Sequence, residues 1–333
     1  MEKAGLGRGT TAMKDTFDRT IDYMRVSITD RCNLRCEYCM PDGVQLCNHQ
    51  DILTYDEIIS VCKEAVSLGI VKFKITGGEP LVRKNCATLI KKIYEIPGTE
   101  QVTLTTNGVL LKDQLEELKE AGLKSVNISL DTLDREKFIK ITGFDHMNEV
   151  LESIKAAMDA GMKVKLNTVL HDKDYKKDFK QLIELAKKYP LDIRFIEMMP
   201  IGYGVDAYLV SNETLIKELE ELYDELEPDY EVKGNGPAVY YKIPDFKGSI
   251  GFISAIHGKF CRTCNRIRLT STGEIKSCLC FDNGVNLKEA IRNKDSRKIN
   301  SLLRESISDK PEEHCFGDLK GITERKNMIQ IGG

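Results

Sequence analysis

Short apolar runs and longer amphipathic stretches alternate along the chain from about residue 22 to residue 230. The apolar runs have the length of strands, and the stretches between them repeat apolar positions at helical spacing. Gly69, Gly122 and Gly161 follow three of these stretches, where a helix commonly ends on glycine. The predicted strands are 23–28, 71–76, 102–106, 126–130, 164–170 and 193–198. The predicted helices are 55–68, 87–94, 112–121, 148–160, 177–188 and 211–225.

Repeated strand–helix units indicate a parallel sheet with helices outside it. We expect an α/β fold built on a partial (βα)6 TIM-like barrel, with a doubly wound open sheet as the alternative; both bind ligands at the carboxyl ends of their strands. After Pro237 the pattern changes to short strands around glycine turns and a charged helical stretch over 287–308. This predicts a smaller C-terminal α+β region. The predicted domains are a flexible lead-in over 1–17, the barrel over 18–235 and the C-terminal region over 236–333.

Composition narrows the class of protein. The 333 residues are 41% hydrophobic and 30% charged, as in ordinary globular proteins. The chain has 49 Lys and Arg residues and 52 Asp and Glu residues. Its net charge of -3 argues against a protein that binds nucleic acid over a large surface. No apolar run approaches the length of a membrane span, and the first 14 residues lack the apolar core of a secretory signal. We therefore expect a cytoplasmic protein that binds neither nucleic acid nor membrane.

Eleven cysteines without an export signal point to metal or redox chemistry rather than to disulfides. The first trio of cysteines follows the first predicted strand and consists of Cys32, Cys36 and Cys39. Three thiolates on one short loop can hold three irons of a 4Fe–4S cluster and leave the fourth iron open to a small molecule. A structural zinc loop is the alternative, for which Cys47 and His49 are the nearby fourth ligands.

The second trio of cysteines repeats this logic and consists of Cys261, Cys264 and Cys278. A zinc site completed by Cys280 or His257 is one interpretation, and a second 4Fe–4S cluster with one open iron is the other. Arg266 and Arg268 share a strand face beside this trio, and two guanidiniums there suit a phosphate or carboxylate. This neighbourhood favours the cluster. The other cysteines are expected to be packing residues or incidental thiols.

Polar residues occupy one face of several predicted strands, although strands buried on both sides should be nearly all apolar. Solvated sheet faces would explain any single strand. Several together favour a polar lumen, and a lumen lined by Arg25, Lys74 and Lys165 calls for an anion such as a polyphosphate. Thr105 adds a hydroxyl to this set. At the end of the second strand, Gly77 and Gly78 allow close backbone approach, and Pro80 keeps Glu79 extended, so that its carboxylate can accept bonds from an ammonium group.

The cysteine loop with Tyr38, together with the Gly-Gly-Glu-Pro element at 77–80, resembles the signature of the radical S-adenosylmethionine (SAM) superfamily. The resemblance implies that SAM binds the open iron of the first cluster through its amino and carboxylate groups. An electron from that cluster would then cleave SAM to a 5′-deoxyadenosyl radical. It also implies that the Gly-Gly-Glu-Pro element receives the SAM amino group.

From about Asp18 to its last residue, the chain is similar to the molybdenum cofactor biosynthesis protein A family of GTP 3′,8-cyclases. The matching segments are Arg25–Met40, Lys74–Arg83, Leu104–Leu111, Val126–Asp131, Arg194–Met199, Phe260–Thr270 and the closing Gly332-Gly333. The resemblance implies a lyase in which the radical removes the ribose 3′ hydrogen of GTP and the sugar radical attacks carbon 8 of guanine. The product would be 3′,8-cyclo-7,8-dihydro-GTP, in the first step of molybdenum cofactor biosynthesis.

The resemblance also assigns residues and partners. The first trio would hold the SAM cluster, and the second would hold a cluster whose open iron binds guanine. The SAM contacts would be Tyr38, Gly78, Glu79, Ser129 and Met199. The GTP contacts would be Arg25, Lys74, Thr105, Lys165, Arg266 and Arg268. The Gly332-Gly333 tail would reach the active site and be needed for activity.

One residue departs from the family pattern, since many members have arginine where this chain has Lys74; charge is kept and bidentate geometry is lost. The implied partners are a flavodoxin or ferredoxin as electron donor and cyclic pyranopterin monophosphate synthase downstream, and a homodimer is compatible with the family. Two alternatives stay open: a radical SAM peptide-modifying enzyme with auxiliary clusters, which usually has more C-terminal cysteines, and a non-catalytic zinc-stabilised module.

Overall fold

The computed structural model describes residues 12–41 and 45–332. The strands of these residues are β1 (Tyr23–Ser27), β2 (Lys72–Thr76), β3 (Gln101–Thr106), β4 (Ser125–Ser129), β5 (Lys163–Thr168), β6 (Asp192–Ile196), β7 (Glu227–Asp229), β8 (Val239–Lys242), β9 (Ile250–Ile253), β10 (Arg266–Leu269), β11 (Glu274–Lys276) and β12 (Val285–Asn286). The α-helices are α1 (Tyr55–Ser67), α2 (Cys86–Tyr94), α3 (Leu115–Glu120), α4 (Arg135–Thr142), α5 (Met147–Asp159), α6 (Tyr175–Lys188), α7 (Asn212–Leu222), α8 (Lys288–Arg292) and α9 (Ser296–Ser308).

All these strands belong to one sheet in the order β12-β11-β10-β1-β2-β3-β4-β5-β6-β9-β8-β7. Strands β1 to β6 are parallel neighbours in chain order, which confirms the predicted partial βα barrel. A doubly wound sheet would reverse its strand order at a switch point, and β1 to β6 show no such reversal. The barrel is partial because the sheet ends at β12 and β7. The carboxyl ends of the parallel strands therefore open on one side of the molecule.

The C-terminal region extends this sheet at both of its edges. Strand β10 pairs in parallel with β1, and β9 pairs in parallel with β6. Residues on either side of the predicted domain boundary at 235 thus share one sheet, and the second trio of cysteines is brought next to the first strand. The sequence pattern changes at residue 235, but the sheet continues across this position.

The start of the described chain is bonded to the barrel. The N–H of Met13 donates to the carbonyl of Leu68 at 2.9 Å, and the buried Asp15 accepts from Arg19 Nε at 2.5 Å. Met13 and Asp15, which the sequence pattern assigns to a flexible lead-in over 1–17, are therefore held against the body of the protein. Residues 1–11 of that lead-in lie outside the described residues.

The apolar core lies between the sheet and the surrounding helices. Helix α1 shows why these elements form: Thr54 and Glu57 make a capping box at its start, and its apolar face is buried. Met24 and Val26 of β1 point into this core and are fully buried. Cys62 and Cys86 are also fully buried there, as expected of packing residues. None of the helices in the described residues is both long and apolar enough to cross a membrane.

Candidate active site

The register of the strands places three cations side by side. Arg25 of β1 pairs with Arg268 of β10 on one side and with Lys74 of β2 on the other. Paired residues of neighbouring strands share a face of the sheet. On β1 the opposite face carries the core residues Met24 and Val26, so the cations point away from the core, to the inside of the barrel.

Two further rows follow from the same register. Thr105, Asn127 and Lys165 are aligned on β3, β4 and β5, and Ser129, Asn167 and Arg194 are aligned on β4, β5 and β6. The ammonium of Lys165 donates to the carbonyl of Lys233. Alternation along the strands thus builds a polar inner face, as the sequence predicted.

These cations lie close to one another: Lys165, Arg194 and Arg268 are buried, and Arg25, Lys74 and Arg266 are partly buried. Burial and then repulsion from Arg194 and Arg25 hold the pKa of Lys74 well below its usual range. Burial likewise lowers the pKa of Lys165 to about 8. Among the described residues, Nε and Nη2 of Arg194 and Nε of Arg266 are buried and have no hydrogen-bond partner. Buried cations without counter-charge are costly, so this inner face suits a polyanion.

The first trio of cysteines lies on the loop after β1, which the end of α4 supports. The N–H groups of Arg35 and Glu37 donate to the carbonyls of Thr142 and Ile141 at 2.8 and 3.0 Å. Burial raises the pKa of Cys32 to about 11, and it raises that of Cys39 to about 12. Buried thiols of this kind become ligands only beside a strong positive charge, and a metal cluster supplies one.

The Gly-Gly-Glu-Pro element crosses directly over this loop. A Cβ on Gly78 would lie 2.3 Å from the carbonyl oxygen of Arg31, so only glycine fits there. The next residue, Glu79, accepts bonds from Asn107 N–H at 2.6 Å and Thr106 Oγ1 at 2.7 Å. Burial raises the pKa of Glu79 to about 7 despite these bonds. The carboxyl group is therefore held rigidly and favours a cationic partner.

The second trio of cysteines surrounds the start of β10. Burial would raise the pKa of the Cys264 thiol, but the charges of Lys310 and Arg266 lower it to about 7. The Lys310 ammonium also donates to the carbonyl of Ser277 at 2.5 Å. A thiol beside two cations ionises readily, which suits a metal ligand.

The proposed fourth ligands of a zinc site are engaged elsewhere. Cys280 Sγ lies 2.9 Å from Cys315 Sγ, and His257 Nδ1 lies 3.0 Å from a carboxylate oxygen of Glu197. Around a tetrahedral zinc ion with Zn–S bonds of about 2.3 Å, sulfurs would stand about 4 Å apart. Within residues 12–41 and 45–332, no group of three or more His, Cys, Asp or Glu is arranged to hold a single metal ion. The described residues thus show no preformed site for a single zinc ion at either trio.

One cavity of about 340 Å³ joins these parts. Both trios line it, and so do most of the residues that the sequence singles out. These are Arg25, Tyr38, Gly78, Glu79, Thr105, Ser129, Met199, Arg266 and Arg268. Lys74 and Lys165 are not among its lining residues, although both interact electrostatically with Arg194. Arg268 Nη1 donates to the carbonyl of Gly332 at 2.9 Å, while Gly333 lies outside the described residues.

The sequence did not predict several residues around the site. One of them, Arg194, could have been predicted, because alternation along β6 places it on the inner face. Arg19, Lys310 and His314 also line the cavity, but they lie outside the strands and carry no periodic signal. His314 is buried, and burial lowers its pKa.

Comparison with known proteins agrees with this geometry. The Radical SAM superfamily model matches residues 26–186, and the Molybdenum Cofactor Synthesis C model matches residues 191–316. Among solved structures, SuiB of Streptococcus suis bound to S-adenosylmethionine aligns with a TM-score of 0.65 at 15% identity. That alignment covers 93% of this chain and 77% of SuiB, and it shows a shared fold.

Relatives of nearly equal length define the family more closely. A GTP 3′,8-cyclase of Clostridium perfringens (strain SM101) is 45% identical over 323 residues, which is 96% of this chain and all of the relative. A GTP 3′,8-cyclase of Clostridium botulinum (strain Hall) is 43% identical over 327 residues, with the same coverage of both chains. The chain therefore belongs to the GTP 3′,8-cyclase family of radical SAM enzymes.

Proposed function

We propose that this chain is a GTP 3′,8-cyclase, a radical SAM lyase that converts GTP to 3′,8-cyclo-7,8-dihydro-GTP for molybdenum cofactor biosynthesis. One observation carries the proposal: two trios of cysteines and a set of buried cations border the same cavity. A reaction that joins a SAM-derived radical to a nucleoside triphosphate needs these parts in one chamber.

Cys32, Cys36 and Cys39 would hold one 4Fe–4S cluster, and Cys261, Cys264 and Cys278 would hold the other. When bound, the first cluster supplies the electron that cleaves SAM, and the second supplies an open iron for the substrate base. The buried thiols of the first trio and the two cations beside Cys264 support this assignment. The protein's own contribution is to position the reactants and exclude water from them.

Glu79 would accept a hydrogen bond from the amino group of SAM, with Tyr38, Gly78, Ser129 and Met199 as further contacts. The carboxyl of Glu79 accepts three hydrogen bonds, from the N–H groups of Leu81 and Asn107 and from the Thr106 hydroxyl, so its orientation costs no reorganisation on binding. The hydroxyl of Tyr38 donates to Asp131 at 2.7 Å, which fixes the ring at the edge of the cavity.

Arg25, Lys74, Thr105, Lys165, Arg266 and Arg268 would bind GTP. The triphosphate supplies the negative charge that the rows of cations on β10, β1 and β2 call for. Lys74 and Lys165 do not line the cavity, so they would attract the triphosphate from behind its wall, together with Arg194, instead of contacting it directly. The carbonyl of Gly332 accepts from Arg268, and Gly332 would in this way support the orientation of the guanidinium.

The finer assignments of partners and location belong to the same proposal. A flavodoxin or ferredoxin would supply electrons, cyclic pyranopterin monophosphate synthase would take the product, and the enzyme would work in the cytoplasm. A homodimer is compatible with these roles.

The test is anaerobic incubation of the reconstituted protein with SAM, a reductant and GTP. The expected products are 5′-deoxyadenosine and the cyclised nucleotide in equal amounts. Formation of 5′-deoxyadenosine without a cyclised nucleotide would reject GTP as the substrate. A colourless protein that binds zinc but no iron after anaerobic reconstitution would reject the whole proposal.

A further inference from the structure

His314 lines the cavity and has no part in the proposed function so far. Only 4% of its surface is exposed. It follows a segment that Arg19 fixes against the second trio, since the Arg19 guanidinium donates to the carbonyls of Cys261 at 2.9 Å and Glu312 at 2.7 Å. The position of His314 is therefore set by the body of the protein and not by a free loop.

The imidazole ring of His314 is held between two aromatic neighbours. It stacks on Phe316 with ring centres 4.6 Å apart, and Phe260 meets it edge-on at 6.5 Å. Its own backbone N–H points to Cys261 Sγ at 3.4 Å. These contacts leave the ring with one orientation beside the second trio.

The hydrogen bonds of the ring identify which nitrogen carries the proton. The backbone N–H of Phe316 donates to His314 Nδ1 at 3.3 Å, so Nδ1 is an acceptor and the proton of the neutral ring is on Nε2. Nε2 is buried and has no hydrogen-bond partner within the described part of the chain. Folded proteins leave few buried donors unpaired, which points to a ligand that completes this bond.

We propose that Nε2–H of His314 donates a hydrogen bond to an acceptor atom on the purine base of the substrate. The inference rests on the proposed function, which brings a guanine to the second trio. The row of Arg268, Arg25 and Lys74 on β10, β1 and β2 suits the phosphates, whereas His314 lies between the rings of Phe316 and Phe260. Arg266 lies over the outer ring, 5.1 Å from the centre of Phe260, so a flat base fits the place beside His314 better than a phosphate does. A neutral donor beside flat apolar groups recognises the edge of a heteroaromatic ring. His314 is thus a substrate-binding residue.

The test compares His314→Phe and His314→Met, which lack the donor, with His314→Gln, which keeps one. Each reconstituted holoenzyme is dialysed anaerobically against radiolabelled GTP without SAM, and its iron is counted. We expect GTP binding to weaken about tenfold in the donor-free variants and about threefold or less in His314→Gln, the scale of one buried hydrogen bond. The affinity for inorganic triphosphate, obtained from its competition with GTP, should be the same in the wild type and all variants, because His314 faces the base.

Three results would overturn the inference. The first is wild-type GTP affinity in either donor-free variant with full iron content. The second is an equal loss of affinity for GTP and inorganic triphosphate. The third is loss of the second cluster's iron in both donor-free variants, since His314 would then support the cluster instead of the base. A wild-type enzyme that binds GTP but does not cyclise it would reject the proposed function alone.

Discussion

Glu79 links burial, protonation and ligand binding in a single side chain. Because burial raises its pKa from 4.5 to about 7, the folded protein holds a proton between these pH values that the unfolded chain has lost. The free energy of unfolding contributed by this group therefore falls as the pH rises through that window. The same ionisation creates the carboxylate that an ammonium group needs.

We predict that SAM binds about eightfold more tightly at pH 7.5 than at pH 6, since more of Glu79 is ionised at the higher pH. Glu79→Gln should bind SAM weakly at both pH values and remove this dependence. Anaerobic equilibrium dialysis of SAM against both proteins measures the effect. An equal pH dependence in Glu79→Gln would assign the titration to another group.

The cysteines after β11 offer a matched pair of variants two positions apart. Cys278 lies with Cys261 and Cys264, whose charges act on it, whereas Cys280 faces Cys315. We expect Cys278→Ala to lower the iron content from about eight to about four atoms per chain, because one 4Fe–4S cluster loses a ligand. Cys280→Ala should keep about eight. An equal loss of iron in Cys280→Ala would mean that Cys280 is a ligand.

Among the elements, the strands were the most predictable part of the fold. Strands β1 to β6 lie within two residues of their predicted ends, because apolar runs bounded by glycine and charged residues have few other structures open to them. Helix α4 was missed, although Asp134 caps its start by accepting from the N–H of Lys137. Its eight residues have a low apolar content: only Phe138 of this helix joins the main core, and the end of the helix bonds to the cysteine loop.

The candidate site also has a part that the sequence predicts and a part that it does not. Alternation along β1 and β2 predicted the inward cations Arg25 and Lys74, since both belong to periodic elements. His314 and Arg19 lie on irregular segments that meet the second trio only after folding. No local pattern reports a contact between residues 242 positions apart, such as that of Arg19 with Cys261.

The C-terminal segment has a conformational requirement at Gly332. Gly332 has a φ of +76°, and a Cβ on it would lie 2.9 Å from Ser27 Cβ. Gly332→Ala should displace the carbonyl that accepts from Arg268 and lower kcat at least tenfold, with little change in thermal stability. Cyclised nucleotide formation and thermal unfolding are measured together. Gly317→Ala, where a Cβ would meet nothing within 4 Å, is the control and should keep full activity.

At the scale of the whole molecule, charge is distributed unevenly. The chain has a net charge of -3, yet Arg25, Lys74, Arg194 and Arg268 are gathered inside the barrel. Burial and mutual repulsion hold the pKa of Arg268 well below its usual range. Repulsion among these cations therefore lowers the stability of the ligand-free protein, and a bound polyanion would relieve this repulsion.

This trade predicts opposite effects of one substitution on stability and on binding. Lys74→Gln removes a partly buried amine that is repelled by Arg194 and Arg25, so the holoenzyme without ligand should unfold at a higher temperature than the wild type. GTP at about 100 times its Kd should stabilise the wild type by about 2.7 kcal/mol, and the same concentration should stabilise Lys74→Gln far less. Guanosine, which lacks the phosphates, should stabilise neither protein appreciably. Lys217→Gln on the exposed face of α7 is the matched control and should leave both temperatures unchanged. A lower unfolding temperature for ligand-free Lys74→Gln would show that this lysine supports the fold, and an equal shift with guanosine would show that the cations do not bind the triphosphate.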